Sequence, residues 1–415
     1  MAEHNAESLH AQPQFAPGQG RARVRRQVQE TAERPSIALP PYETIALVLQ
    51  GGGALGAYQA GVYEGLQEAG ILPNWIAGIS IGAINTAIVA GNAPERRVAC
   101  LREFWETVCQ PAYGMSLPPA VEQAFFDSTE VVRTAFTAMQ AASALVDGQK
   151  GFFVPRVPPP LPFSVGTPDT ASWYDTAPLK ATLERLCDFD RINAGETRVS
   201  VAAVNVATGN FAYFDNRHTK LRAEHFMASA SLPPGFAATE IDGEFYWDGG
   251  LMSNTPLSEV IQTTPRRDTL AFQVDLWSAR GPAPNTLTDV QSRVKDIQYS
   301  SRTRLVTDMM QHSQRFRHVL REVLQRVSPE HRDDPWCKIA EELATSRRYN
   351  VFQLVYRDKE FEGNYKDYQF GLSTMRLHWE SGLQDIRASL AQPGWLDMPE
   401  NDAGFVTHDI HRDSR

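Results

Sequence analysis

Gln50-Gly51-Gly52-Gly53-Ala54-Leu55-Gly56 and Gly78-Ile79-Ser80-Ile81-Gly82 decide how this chain reads. Each glycine-rich stretch follows an apolar run of strand character and opens a run of helical character. Ile45–Leu49 reads as a short buried parallel strand closed by the first glycines. Tyr58–Ala69 reads as a helix, because Tyr58, Val62 and Leu66 recur at helical spacing, and Gly70 is a fitting stop. Trp75–Ile79 is the next strand. Ile81–Ala90 is the next helix, and its Gly82, Ala83 and Ala87 permit close packing on a sheet. A further helix begins at Pro94 and carries Leu101, Phe104 and Trp105. This β-α-β-α alternation predicts an α/β domain with a parallel sheet.

The second stretch has the form of a nucleophile elbow. A sharp strand-to-helix turn presents Ser80 Oγ away from the backbone, and Gly78 and Gly82 remove side chains that would collide there. The start of the following helix adds free N–H groups and a partial positive charge. An unassisted serine hydroxyl is a poor nucleophile, so such a motif also requires a base. The first stretch can supply a different component. Glycines at 51, 52 and 53 let successive backbone N–H groups converge on one anion. An attacked ester carbonyl becomes such an anion, and one well-placed donor contributes about 3 kcal/mol. Gly51-x-Gly53-x-x-Gly56 also fits a dinucleotide fingerprint, which expects an acidic residue about 20 residues on, at the end of the second strand. That strand ends in Ser80 instead, so the nucleotide reading is the weaker one.

Asp248 is the carboxylate whose context fits the base. It ends the strand Glu244–Trp247 and precedes Gly249-Gly250, a sharp turn that leaves the side chain at a sheet edge; a simple Asp-Gly turn is the alternative. No histidine stands in a context that marks a triad member. His4 and His10 lie in the polar N-terminal segment, His218 and His225 in mid-chain, and the others beyond residue 300.

The surrounding chain is less regular. Residues 1–40 are polar, without hydrophobic period, and are expected to be disordered. Their basic cluster Arg21–Arg26 would gain about 1 kcal/mol per cation near an anionic lipid surface. Residues 110–175 break the rhythm. Pro155, Pro158, Pro159, Pro160 and Pro162 among Phe152, Phe153, Leu161 and Phe163 exclude an interior strand. That segment reads as a lid over the site or as a proline-stiffened surface loop. A helix at Ala177–Leu186 follows, then a hairpin of Val199–Val206 and Asn210–Phe214 turning at Thr208-Gly209-Asn210. A helix at Leu221–Ser229 and a strand at Thr269–Trp277 come next. Gly281–Pro284 reads as a linker into a long, charged, helix-like segment from Leu287 to about Val327. A strand at Val351–Tyr356 and a helix at Tyr368–Leu390 precede a weakly ordered tail over 393–415.

Composition sets outer bounds. A chain of 415 residues, 42% hydrophobic and 21% charged, is that of a folded soluble protein of one large or two moderate domains. A net charge of −9 argues against a nucleic acid partner, although a local patch can oppose the global sign. Cys100, Cys109, Cys187 and Cys337 show no zinc or redox spacing and read as thiols of a reducing compartment. Met1–Pro40 lacks an apolar core of signal-peptide type. Ile71–Gly91 is interrupted too often, by Pro73, Asn74, Ser80, Asn85 and Thr86, to cross a bilayer. The expected location is cytoplasmic, with peripheral membrane contact left open.

Taken together, the motifs resemble the patatin-like phospholipase family: a glycine-rich loop (Gly51–Gly56), Gly-x-Ser-x-Gly (Gly78–Gly82) and Asp-Gly-Gly (Asp248–Gly250), in the family's order. Ala228-Ser229-Ala230-Ser231-Leu232-Pro233-Pro234-Gly235-Phe236 is similar to the family's Ala-Ser-x-x-x-Pro segment. The resemblance runs from about residue 45 to 262, and the region after 265 resembles an extension on some bacterial patatin-like proteins. It implies a three-layer α/β sandwich with a mainly parallel central sheet, a hydrolase domain over 45–262 and a mostly helical extension over 265–392. It further implies a Ser–Asp dyad without histidine, Ser80 as nucleophile and Asp248 as proton acceptor. The oxyanion hole would come from Gly51, Gly52, Gly53, Ala54 and Gly56. A lipid or other acyl ester is the implied substrate, with no metal and no cofactor. A short-chain or hydroxyalkanoate esterase and a catalytically silent binding protein of the same fold are the rival readings. One position departs from the pattern: a basic residue common before the last glycine is Leu55 here, which keeps the backbone donors but removes a charge that would help hold an anionic lipid. A carboxylate of ordinary pKa, about 4, is a weak base for serine, so burial must raise it.

Overall fold

The structure, a computed structural model, describes residues 37–113, 116–161, 163, 165–359, 361–400 and 404–411, with the side chains of 301–304 outside that set. The basic cluster Arg21–Arg26 lies outside the described residues. The alternation expected at the start of the chain is present. β1 (Thr44–Leu49) leads through the glycine loop to α1 (Ala57–Glu68), and β2 (Trp75–Gly78) leads through the elbow to α2 (Ile81–Ala90). α3 (Pro94–Val108) starts on a proline, whose missing N–H has no partner to lose there. Side chains alternate along β1: Leu47 and Leu49 enter the larger apolar cluster, Ala46 and Val48 a second one on the opposite face. Ile71–Gly91 therefore becomes a strand and a helix inside the core. Among the described residues no helix is long and apolar enough to cross a membrane.

Residues 110–175 hold more regular structure than their prolines suggest. They form α4 (Pro119–Phe126), α5 (Glu130–Asp147) and a short antiparallel pair, β3 (Val154–Pro155) with β4 (Tyr174–Asp175). α5 has no clean apolar face to read: Phe136, Ala141 and Ala144 are buried while Val131, Met139 and Val146 are exposed. The chain continues with α6 (Ala177–Leu186), α7 (Phe189–Ala194), β5 (Arg198–Asn205), β6 (Phe211–Asp215), α8 (Ala223–Ser229), β7 (Thr239–Ile241) and β8 (Glu244–Asp248). Then come α9 (Leu257–Gln262), β9 (Thr269–Asp275), α10 (Leu287–Leu324), α11 (Pro335–Leu343), β10 (Tyr349–Val355), α12 (Leu372–Leu390) and β11 (Phe405–His408).

One sheet runs in the order β11-β10-β9-β1-β2-β5-β8-β7, with β6 also paired to β5. The strands from β11 to β5 are parallel neighbours, while β6, β8 and β7 join antiparallel. α1, α2, α3 and α12 cover one face, and α9 with Met310 of α10 covers the other. This is a three-layer α/β sandwich with a mainly parallel sheet.

The boundary expected near 262–265 is not a break in the sheet. β9 lies beside β1 in full register, Thr44 opposite Thr269 through Leu49 opposite Val274. α12 lies backbone to backbone against α1, because a Cβ on Gly61 would strike the Trp379 carbonyl and one on Gly382 the Tyr58 carbonyl. The expected tail also contributes: Phe405–His408 is the parallel edge strand β11, and Trp395 packs on Phe352 and stacks on His408. Strand pairing and aromatic packing, which no local pattern announces, order these residues.

Candidate active site

The sheet brings the elbow and Asp-Gly-Gly together. Along β5, Gly78 at the end of β2 stands opposite Val201, and Asp248 at the end of the antiparallel β8 stands opposite Ala203. β6 occupies the other edge of β5 over the same stretch, so β2 and β8 meet head to head along one edge. Their side chains face each other too: Ser80 stands close enough to the Asp248 carboxyl to favour its ionised form.

Ser80 sits at φ 55°, ψ −126°, one of two described non-glycine residues with positive φ. Such a backbone costs about 1–3 kcal/mol and persists only when its surroundings over-determine it. Here they do. A Cβ on Gly78 would strike the Gly82 carbonyl and one on Gly82 the Leu49 carbonyl, so only glycine fits on either side. The Ser80 N–H donates to both the carbonyl and the Oγ of Ser229, each at 3.1 Å, and Ser229 Oγ in turn donates to the Ala202 carbonyl at 2.7 Å. Two residues on, the Ser231 carbonyl accepts the Asp248 N–H at 3.0 Å. The turn after α8 thus holds both site residues by their backbones. The sequence marks this segment as a motif but gives it no role; the structure supplies one.

Asp248 is 2% exposed. Burial pushes its pKa up to about 7, opposed by the neighbouring Ser80 hydroxyl and by the Gly250 N–H, which donates to Oδ1 at 2.7 Å. Gly249 packs against the Ala202 carbonyl, which is why a side chain is excluded there. A serine hydroxyl beside a carboxyl that ionises near neutrality has a proton acceptor matched to the working pH.

The glycine loop lies beside this pair. A Cβ on Gly51 would come 2.9 Å from Ser80 Cβ and 2.5 Å from Asn254 Oδ1. Gly53 has φ 55° and starts a 3-10 helix over Gly53–Gly56, whose first turn leaves the Gly53 and Ala54 N–H groups without intrahelical acceptors. Gly51 thus lies against Ser80, and Gly52, Gly53 and Ala54 follow it in the same loop. Gly56 is placed differently: it closes the 3-10 helix, its Cα packed against Ile81 and Trp105, and its carbonyl accepts Asn85 Nδ2 at 3.0 Å. Its place is in the packing of α1 on α2 rather than at the anion position.

Several residues that hold the loop were missed in the sequence. Asn254 clasps Gly51 from both sides: its Nδ2 donates to the Gly51 carbonyl at 3.0 Å and its own carbonyl accepts the Gly51 N–H at 3.3 Å. Trp277 Nε1 donates to the same Gly51 carbonyl at 2.9 Å. Gln50 Oε1 accepts the N–H groups of Leu276 and Trp277 at 2.5 and 3.1 Å, and its Nε2 donates to Thr255 Oγ1 at 3.0 Å. Thr255 Oγ1 donates to Asp275 at 3.1 Å; burial pushes the Asp275 carboxyl up to about 7, opposed by its bonds from Gln273 and Thr255. The signal for Asn254 was its short distance beyond Asp-Gly-Gly. Asp275 ends β9 and Trp277 lies two residues past it, both outside every motif.

Leu55 is fully buried in the main apolar cluster, so this position turns away from the site and toward the core. Cations near the loop are committed elsewhere. The Asp367 carbonyl abuts Gly53, while Lys366 Nζ donates at 2.6 Å to both Asp296 and Asp358 and Lys295 donates to Asp367 at 2.8 Å. The buried histidines also have other partners: His225 Nδ1 accepts the Arg222 N–H at 3.1 Å, and His378 Nε2 lies 2.6 Å from Glu362. Among the described residues, no group of three His, Cys, Asp or Glu side chains is placed to hold a metal ion.

Comparison with known proteins follows the same residues. A family model described as patatin-like phospholipase matches residues 47–261, and a second, described as patatin phospholipase, matches residues 297–402. A 50-residue stretch is 52% identical to lysophospholipase nte1 of Aspergillus terreus, covering 12% of this chain and 3% of that far longer relative. Among solved structures, VipD from Legionella pneumophila shares 15% identity at a TM-score of 0.32, over 82% of this chain and 67% of that one. Human GIVD cytosolic phospholipase A2 shares 12% identity at a TM-score of 0.34, over 83% and 59%. With the first model spanning more than half of its residues, the chain belongs to the patatin-like phospholipase family.

Proposed function

We propose that this protein is a serine lipid acyl hydrolase that cleaves carboxylic esters through a Ser80–Asp248 dyad and an acyl-enzyme. The observation that carries the reading is the Ser80 side chain set against a buried carboxyl whose pKa is raised to about 7, where β2 and β8 meet on one edge of β5. In the ionised form Asp248 accepts the Ser80 proton as Oγ attacks the ester carbonyl. The carbonyl oxygen becomes an oxyanion beside the N–H groups of Gly52, Gly53 and Ala54, which need no reorganisation to receive it. The alcohol leaves with the proton from Asp248. Water then attacks the acyl-serine as Asp248 takes its proton, and Asp248 returns that proton to Ser80 Oγ as the acyl–oxygen bond breaks and the acid is released. Family membership supports a lipid ester as substrate, and the engagement of the buried histidines elsewhere supports a dyad over a triad.

The test is hydrolysis by wild type and Ser80→Ala of phospholipid, lysophospholipid and p-nitrophenyl esters of graded chain length. Ester cleavage that requires Ser80 and favours long acyl chains is expected. A sharp preference for acetyl or butyryl esters would replace the lipid reading with a short-chain esterase, and activity retained in Ser80→Ala would remove the dyad.

A further inference from the structure

Over its first turns α10 is held by polar bonds rather than by apolar burial. Leu287, Val290, Val294 and Ile297 are exposed, and the exposed stripe continues through Met309, Phe316 and Val323. The buried side carries Asp296, Ser300, Thr307 and Gln314, with Met310 as its apolar member. This inverts the usual order of a surface helix, whose apolar face packs on the core. Directional contacts therefore set where the helix start lies, and they run to the two segments that flank the glycine loop.

The first segment follows β9. Arg293 donates to the Ser278 carbonyl at 3.3 Å and to the Ala279 carbonyl. The Tyr299 ring packs on Trp277 with centroids 4.9 Å apart, and the Tyr299 carbonyl accepts Gln50 Nε2 at 3.3 Å. The second segment joins β10 to α12 and holds a 3-10 turn over Lys366–Tyr368. Here two adjacent residues of α10 meet two adjacent residues of the turn in crossed ion pairs. Lys295 Nζ donates to the Asp367 carboxylate at 2.8 and 3.0 Å and to the Asn364 carbonyl at 2.8 Å. Lys366 Nζ donates to Asp296 and to Asp358, each at 2.6 Å. A shift of one residue would set lysine on lysine or aspartate on aspartate, so the charges admit one register. Lys366 is the one buried lysine among the described residues. A buried ammonium persists only when it is well paired, and this one lies over the Trp277 ring, 5.1 Å from its centroid.

Both segments end on the glycine loop. Trp277 Nε1 donates to the Gly51 carbonyl at 2.9 Å. A Cβ on Gly53 would come 2.1 Å from the Asp367 carbonyl oxygen, so the turn that carries the crossed pairs presses on the residue whose φ of 55° starts the loop's 3-10 helix. We infer that Lys295, Asp296, Lys366 and Asp367 are positioning residues, which fix Gly51–Gly53 in their oxyanion-donor geometry through the Trp277 ring and the Asp367 carbonyl. Their effect on rate rests on the acyl-hydrolase reading; their effect on the order of the loop does not.

Lys295 and Asp367, 31% and 22% exposed, carry the test. Lys295→Asp, Asp367→Lys and the exchange Lys295→Asp/Asp367→Lys are compared with wild type by kcat and KM on a soluble p-nitrophenyl ester, by Tm, and by amide hydrogen exchange in residues 50–57. Each single reversal should lower kcat about tenfold or more with KM within about twofold, because a misplaced oxyanion donor acts on the transition state. Each should also speed exchange in 50–57 while residues 198–205 of β5 keep their rate. Lys295→Met, which removes the charge without opposing Asp367, should show the same split at smaller size. The double exchange should return both readouts to within about threefold of wild type. A fall in Tm with kcat and loop exchange unchanged overturns the inference, as does a rise in KM alone or a double exchange that rescues neither readout. If wild type cleaves no ester, the hydrolase reading fails and loop exchange alone decides: exchange in 50–57 that the reversals leave unchanged overturns the positioning role, and faster exchange restored by the double exchange upholds it.

Discussion

The junction of β2 with β8 and the face of α10 solve the same problem in opposite ways. At the junction, the polar groups taken out of water have partners within the chain: Asp248 has Ser80 and Gly250, and the Gly51 carbonyl has Asn254 and Trp277. Along α10 the inner Asp296 and the Gln314 amide nitrogen are likewise paired, but the apolar residues are left outside. The first region is finished by folding. The second leaves its apolar stripe open to solvent. Burial and pairing together therefore separate residues that the fold uses from residues that it leaves outside.

The strongest way to break that contrast is at the dyad. Ser80→Ala and Asp248→Asn should each lower kcat/KM by about 10³-fold or more while the protein still folds, measured on a soluble ester alongside circular dichroism. Next in size is a pair of neighbours on α10. Met310→Ala, on the buried face, should destabilise by about 2–5 kcal/mol, and Met309→Ala, on the exposed face, by no more than about 0.5 kcal/mol. Equal losses in denaturant titration would show that α10 is not inverted. Smaller again is Asn254→Ala, which loosens the clasp on Gly51. It should lower kcat about 10- to 100-fold with little change in KM, because a misplaced oxyanion donor acts on the transition state.

The smallest expected effect is on stability against pH. Asp275 has a folded pKa of about 7, raised from 3.8 by burial. Its protonated form is the one the fold favours, so its contribution is fully present below about pH 4 and is lost as pH rises through about 7. Asp275→Asn should flatten part of the fall in Tm between pH 5 and pH 8. An unchanged slope would mean the carboxyl is solvated in solution.

The site was largely legible because its chemistry is local. Ser80 lies between two glycines that backbone contacts require, and Asp248 heads a turn that only Gly249 fits. What no local pattern gives is how those segments meet, since that depends on β2 and β8 sharing one edge of β5. Trp277 and Asp275 were invisible for the same reason, being brought in by a strand more than 200 residues downstream of the loop they brace. The fold class followed from the βα alternation, but the division after residue 262 did not survive as a break: the two family models part there, while β9, β10 and β11 extend the same sheet. α10 was read as a long charged helix, and its inversion emerged only once its buried face was known.

The dyad is tested most directly by the rate at which a fluorophosphonate modifies Ser80, followed against pH in wild type and in Asp248→Asn, with the modified peptide mapped. The account predicts labelling at Ser80 that rises about tenfold per pH unit below about pH 7 and levels off above it, and a rate in Asp248→Asn lower by about 10³-fold and flat with pH. Labelling at another residue, or the same pH profile in Asp248→Asn as in wild type, would contradict it.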